Sequence, residues 1–251
     1  MLIQIDAAQL EWRILAWLSS DKVAIDEINA GIDFHSENQV LFNLPSRLIA
    51  KIYLFRTIYR GSGFSFAHDP AFRHVSTDPD YWDDINKKFY NKYKGIDKWH
   101  HELAELCAAR KPIISPLGRE WLITPIQKTV FDYTTKQEKL VFKLPWTVFT
   151  NYPVQGTGND LMAIGRISLF NRMKRLSLKS VIVSTVHDSI VIDSPKDEVE
   201  KVSQTAIEVF NDIPKNIKKI FGVTLPVAFP GEVKVGHNLR DMVPLDKFLR
   251  G

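Results

Sequence analysis

The chain opens on alternation: in Met-Leu-Ile-Gln-Ile-Asp, apolar and polar side chains take turns from Leu2 onward, which predicts a short half-buried strand ending on Asp6. From Gln9 to Ser20 the period lengthens. Leu10, Ile14, Trp17 and Leu18 recur at helical spacing, with Glu11 and Arg13 elsewhere on the turn, so strand, tight turn and helix are expected in that order. Pro45-Ser46 is a start signal for a second helix over Arg47 to Tyr59, and Gly61-Ser62-Gly63 ends it. Residues 64–80, rich in Pro, His, Asp and aromatics, predict a loop, and Asp80 to Cys107 returns to a helical pattern. Between Ile113 and Leu144 the pattern turns toward strands, clearest in Ile113-Ile114 and Lys139-Leu140-Val141-Phe142. A further helix is expected over Asn159 to Leu176. Val181 to Val186 and Ile190 to Ile192 then flank His187-Asp188, a hairpin with a polar tip. Pro195 to Phe221 reads as a helical region bent at Pro214. No internal repeat or low-complexity stretch interrupts the series, so the class is mixed α and β.

Composition narrows the setting more than the chemistry. At 251 residues, 45% hydrophobic and 25% charged, the chain has enough apolar material for a packed core, which excludes wholesale disorder and a disulfide scaffold. The one cysteine, Cys107, cannot form an internal bridge, and a reducing, cytoplasmic setting is expected. No apolar run approaches the roughly 20 residues of a membrane span, and the N-terminus has no signal-peptide pattern. The net charge of +4 suits an anionic partner without naming one.

Two groups of residues carry candidate chemistry. Asp6 closes one apolar strand and Asp188 sits at the turn of another, so the two carboxylates can converge on metal ions. Magnesium prefers a few hard carboxylate oxygens and keeps positions for water and phosphate, which makes such a pair an adequate protein share of a two-metal phosphoryl-transfer site. On spacing alone, the commoner fate of such aspartates is to end a strand or fill a turn. Arg47, Lys51, Phe55 and Tyr59 recur every four residues, a step that drifts only ~40° from a full helical turn, and so form one slowly winding stripe. Arginine and lysine there suit a triphosphate and the aromatics suit a base or sugar. Taken without context, the same stripe reads as a solvated basic face beside two core aromatics.

Context comes from the order of four segments. Asp6-Ala7-Ala8-Gln9-Leu10-Glu11-Trp12-Arg13 resembles the first catalytic motif of family A DNA polymerases, usually Asp-Tyr-Ser-Gln-Ile-Glu-Leu-Arg. The stripe from Arg47 to Tyr59 resembles that family's second motif, on the fingers helix that closes over the incoming nucleotide. Asn151-Tyr152-Pro153-Val154-Gln155-Gly156-Thr157-Gly158-Asn159-Asp160 is similar to the segment usually written Asn-x-Pro-x-Gln-Gly-Thr-Ala-Ala-Asp. Val186-His187-Asp188 matches the third catalytic motif, and Glu232 to Asn238 resembles the C-terminal tail.

The resemblance covers essentially the whole chain and implies an α+β fold: a partial polymerase palm, its antiparallel sheet bearing the catalytic carboxylates, plus helical fingers, with thumb and exonuclease domain absent. Palm is expected over residues 1–30 and 146–251 and fingers over 31–145. The implied function is template-directed DNA synthesis, transferring a nucleotide from dNTP to a primer 3′-hydroxyl on a primer-template. Two Mg²⁺ ions would be held by Asp6, Asp188 and the Ala7 carbonyl. Lys51 would neutralise the triphosphate and act as general acid, Arg47 would grip the outer phosphates and His35 would assist. Glu11 would crowd the sugar 2′ position and reject ribonucleotides; Phe55 would lie by the sugar and Tyr59 by the template base. Arg13, Asn151, Gln155 and His187 would contact the primer-template in the minor groove, where acceptors common to all base pairs permit sequence-independent checking.

Departures from the family pattern matter too. Ser189 stands where the third motif normally has Glu, so a nearby third carboxylate is missing, although serine can still hydrogen-bond a metal-bound water. Arg56 and Arg60 replace glycines, adding charge and bulk near the template. Ala7-Ala8 lack the usual hydroxyl pair, and Thr147 stands where many relatives carry Arg. Because the chain starts five residues before Asp6, the expected palm sheet is incomplete. A separately encoded upstream piece is therefore expected to supply thumb and remaining palm, with proofreading an open addition; a split gene would suit a phage and hence a host cytoplasm. The rivals are an engineered truncation, a non-catalytic DNA-binding subunit that kept the fold, and a single-subunit RNA polymerase or reverse transcriptase, which Glu11 as sugar gate argues against.

Overall fold

The structure is a computed structural model that describes residues 1–250. The opening alternation does form a strand, β1 (Leu2–Ala7), with Ile3, Ile5 and Ala7 buried and Gln4 and Asp6 on the other face. A turn through Gln9, held at φ 52°, leads into α1 (Leu10–Ser19). Helices α2 (Lys22–Asn29), α3 (Phe34–Leu41) and α4 (Arg47–Thr57) follow, capped by Asp21, Asp33 and Ser46.

Residues 64–80 are more ordered than a loop. Ser62 and Asp69 cap α5 (Gly63–Ala67) and a 3-10 turn at Pro70–Phe72, and Asp78 caps α6 (Pro79–Lys92). The aromatics that make the segment look irregular are core: Phe66 and Phe72 pack with Trp82 and Tyr53, the last two rings stacked at 5.7 Å. The expected long helix from Asp80 breaks at Tyr93, where the backbone leaves helical geometry before α7 (Lys94–Ala108). Asp21 explains the restart. Its Oδ1 accepts from Ala24 N, and its Oδ2 accepts from Gly95 N at 2.7 Å and Ile96 N at 3.2 Å, so one buried carboxylate caps two helices.

Four strands then form two separate ribbons: β2 (Ile113–Ile114) with β3 (Glu120–Trp121), and β4 (Ile126–Asp132) with β5 (Gln137–Lys143). Helix α8 (Trp146–Arg175) begins earlier than its glycines and proline suggest and runs through Pro153. Packing overrides propensity there, with Phe149, Val154, Thr157 and Leu161 all essentially inaccessible. After the hairpin of β6 (Val181–Val186) and β7 (Ser189–Asp193) come α9 (Val199–Asn211) and α10 (Ile213–Phe221). Pro214 lies in the first turn of α10 rather than bending a longer helix. The chain closes with β8 (Gly231–Gly236), β9 (Val243–Pro244) and α11 (Leu245–Phe248).

The main sheet is antiparallel, in the order β6-β7-β1-β8-β9, so the first strand lies in the middle. Helix α9 packs on β1 and β8 through buried Val202, Ala206, Val209 and Phe210. Two compact units result, one of residues 1–14 and 156–251 around this sheet and one of residues 15–155 around the aromatic core, divided within α1 and α8. The boundaries expected from the sequence fall instead at residues 30 and 145. No helix among the described residues is long and apolar enough to cross a membrane.

Candidate active site

In the sheet unit, register dictates which carboxylates meet. Asp6 pairs with Ser189 on β7 and with Glu232 on β8, and residues directly opposite share a face, so Asp6 and Glu232 stand side by side on the face opposite Ile3 and Ile5. Asp188 lies one residue beyond the β7 pairing, in the two-residue turn His187-Asp188, and its carbonyl accepts from Ala7 N at 2.9 Å. His187 takes the left-handed φ of 52° that such a turn demands. The Asp6 carboxyl is pushed up to about 6, first by burial and then by Asp188, Glu232 and Glu11, against the opposing pull of Lys234. Negative charge is thus concentrated where a cation would relieve it. Asp6 and Asp188 are the hard oxygen donors magnesium favours, so the donor set fits. Among the described residues no group of three or more His, Cys, Asp or Glu is placed to hold a metal ion.

Ser189 and Glu232 flank this pair on the neighbouring strands. The Ser189 hydroxyl is buried and donates to Val186 O at 3.0 Å, which closes the hairpin while its oxygen lone pairs remain acceptors. Glu232 on β8 stands beside Asp6 as a further carboxylate near the pair. The Glu-Val-Lys-Val alternation at Glu232 was the available signal, since it places Glu232 and Lys234 on one face of a strand. Glu11 lies in the first turn of α1 and half-buried Arg13 braces the turn before it, donating to Ala8 O at 2.7 Å and Ala228 O at 2.8 Å.

The second unit holds the other candidates. Helix α4 buries Ile49, Ala50, Tyr53, Leu54 and Thr57, which turns Arg47, Lys51 and Phe55 to solvent. Tyr59, just past the helix end, is buried, meets Phe55 edge to face at 6.5 Å and accepts a bond from Gln155 Nε2 at 2.9 Å. Half-buried Asn151 lies one helical turn before Gln155 on α8. His35 is held below its usual range by burial and by Arg47 and Lys51, so these three basic groups are neighbours, and the His35 Nδ1 has no hydrogen-bond partner. Arg47 is clasped by Asp33, a residue the motif pattern does not single out. Arg47 Nε and Nη2 donate to the two Asp33 oxygens at 2.9 and 3.1 Å, and Nε also reaches Ser36 Oγ. The pair holds the Asp33 carboxyl well below the ordinary range.

Arg56 and Arg60 turn out to be engaged within their own unit. Arg56 pairs with Asp69, while Arg60 donates to Asp97 at 2.6 Å with its guanidinium over the Tyr90 and Trp146 rings at 4.5 and 5.0 Å. Arg60 adopts a φ of 63°, a left-handed conformation that accounts for glycine at this position in the family motif.

Comparison with known proteins agrees with this arrangement of motifs. The family model described as DNA polymerase family A matches residues 1–241. The chain belongs to DNA polymerase family A. It is 25% identical to the thermostable DNA polymerase I of Thermus aquaticus over 244 residues, and 24% identical to the DNA polymerase of Bacillus phage SP01 over 249 residues. These alignments cover 94% and 96% of this chain, which spans 26% of each relative's length. Among solved structures, the polymerase domain of Pol1 from M. smegmatis, in complex with DNA primer-template and dNTP, superposes with a TM-score of 0.73 at 18% identity. That match covers 94% of this chain and 39% of the other. At that identity the likeness establishes the fold, an α+β polymerase fragment with an antiparallel sheet.

Proposed function

We propose that this family A chain carries the nucleotidyl-transfer centre of a DNA polymerase and adds deoxynucleotides to a primer 3′-hydroxyl under template direction. The observation that carries the reading is the meeting of Asp6, on the central strand, with Asp188, at the turn of the neighbouring hairpin, with Asp6 raised first by burial and then by its carboxylate neighbours. Asp6, Asp188 and the Ala7 carbonyl would hold two Mg²⁺ ions, which when bound would acidify the primer hydroxyl and offset the charge on the triphosphate. Lys51 donates a proton to the leaving pyrophosphate, and Arg47 and His35 hold the outer phosphates. Phe55 packs on the sugar, Tyr59 lies by the template base, and Glu11 excludes a 2′-hydroxyl. Arg13, Asn151, Gln155 and His187 read the minor groove of the nascent duplex.

A separate polypeptide completes the enzyme in this reading. Support comes from β6, an outer strand whose Val181, Val183 and Val186 are each about half exposed, an edge that another strand or helix would normally cover. A phage host cytoplasm fits such a divided gene. The test is Mg²⁺-dependent extension of a labelled primer-template by the chain alone and with a thumb-bearing polymerase piece added. Addition of deoxynucleotides that Asp188→Asn abolishes is the expected result, and Glu11→Ala should raise ribonucleotide use. No addition in either arm would favour the second reading, a DNA-binding subunit without chemistry, for which Ser189 in place of the motif's glutamate, its hydroxyl donated to Val186 O, is the supporting observation.

A further inference from the structure

The ribbon of β4 and β5 contains none of the candidate site residues. Its seven cross-strand pairs run from Ile126 opposite Lys143 to Asp132 opposite Gln137, yet all its residues except Asp132 and Val141 are exposed. A two-stranded ribbon with both faces in water is marginal by itself, and exposed apolar side chains at this density mark an interaction surface. The register sorts the side chains. One face carries Lys128, Lys139 and Lys143 among Ile126, Val130 and Val141, and the other carries Phe131, Leu140 and Phe142. At the tip, Phe131 and Tyr133 meet edge to face at 5.2 Å, Tyr133 is 87% exposed, and Lys136 is adjacent in the turn.

We propose that this ribbon is a binding surface for single-stranded DNA. Charge decides against an ordinary protein-docking edge: residues 126–143 hold four lysines and two carboxylates, a positive excess matched to phosphates. The aromatics decide for a single strand over a duplex. A base can stack on Phe131, Tyr133 or Phe142 only when its own face is free, which paired and stacked DNA does not offer. A strand crossing the tip would stack on the aromatic pair on one face, pass Lys136 in the turn, and lay its phosphates along Lys139 and Lys128 on the other face. Asp132, which pairs with Lys139, holds that ammonium close to the turn on the face opposite Phe131. Only the strand's identity as the unpaired template rests on the polymerase reading; binding itself is measured without synthesis.

The experiment is anisotropy of a fluorescent oligo(dT) 20-mer with the full chain across a salt series. Replacing Lys128, Lys136 and Lys139 by Gln should flatten the log-affinity against log-salt slope by about 2, at roughly 0.7 for each phosphate no longer neutralised. Tyr133→Ala with Phe131→Ala should weaken binding about tenfold at fixed salt, whereas a blunt duplex should respond far less to the aromatic pair. Unchanged affinity and slope in both variants would overturn the proposal. A photoreactive 4-thiothymidine oligonucleotide on the unmodified chain gives a check independent of folding. Cross-links at residues 126–143 are expected, and cross-links confined to other segments would overturn the proposal. So would sedimentation showing a self-associated chain that Leu140→Ser with Phe142→Ser disperses while DNA binding stays intact, since the ribbon would then serve a second copy.

Discussion

Asp6 is a group held in the folded chain at a cost. Its carboxyl is raised from 3.8 to about 6, so between those values the folded chain binds more protons than the unfolded one. Stability from this group is present below pH 4 and is lost as pH rises through about 6, by about 1 kcal/mol once screening of a half-exposed carboxylate is allowed for. Asp6→Asn should therefore raise the metal-free melting temperature at pH 7 and remove this part of the pH 4–6 decline; an unchanged pH profile would contradict the assignment. Asp33 has the opposite sign, its lowered carboxyl staying ionised down to acid pH against Arg47. That anion competes with phosphates for the guanidinium. Asp33→Asn keeps an N-cap for α3 but removes the charge, so affinity for tripolyphosphate should rise about fivefold by calorimetry with little change in melting temperature. Weaker binding would mean that the carboxylate aims the guanidinium instead. Arg60 offers a comparison free of catalysis. Arg60→Ala and Arg60→Gly both remove the guanidinium from Asp97, Tyr90 and Trp146, but only Ala keeps the strain of φ 63°, so Ala should be less stable by about 1 kcal/mol in urea.

Elements were legible in the sequence where one period ran uninterrupted. The opening strand, α1, α4 and the β6–β7 hairpin follow directly from alternation, helical spacing and turn residues. Helices α2 and α3 are not evident in the pattern because each is only eight residues long, and polar caps at Asp21 and Asp33 set their starts. The 64–80 segment misled because buried Phe66 and Phe72 sit among loop-like prolines and histidines. Asp21 illustrates what no local window contains, since its second helix begins 73 residues further on, at Lys94. Asp21→Ala leaves N–H groups of both α2 and α7 without their acceptor and should cost about 2–4 kcal/mol of unfolding free energy by denaturant titration, with Asp21→Asn losing less. A loss below about 1 kcal/mol would show that water or neighbouring carbonyls replace the cap.

At the scale of the molecule, motif order identified the family before any contact was known, because four segments in sequence constrain more than any single residue. Pairings across the sheet were beyond it. That Glu232 would stand beside Asp6 depends on β8 joining β1, a register fixed by the packing of α9 on both strands. The molecule at this scale is a sheet whose centre gathers acidic groups, and the proposed function places a cation among them. Titration of the full chain with Mn²⁺ at pH 7, followed by calorimetry or by the metal's spin resonance, tests it most directly. Binding that Asp188→Asn and Asp6→Asn each abolish, with Glu232→Gln weakening it, is the predicted result. Equal Mn²⁺ affinity in the unaltered chain and in Asp188→Asn would contradict it.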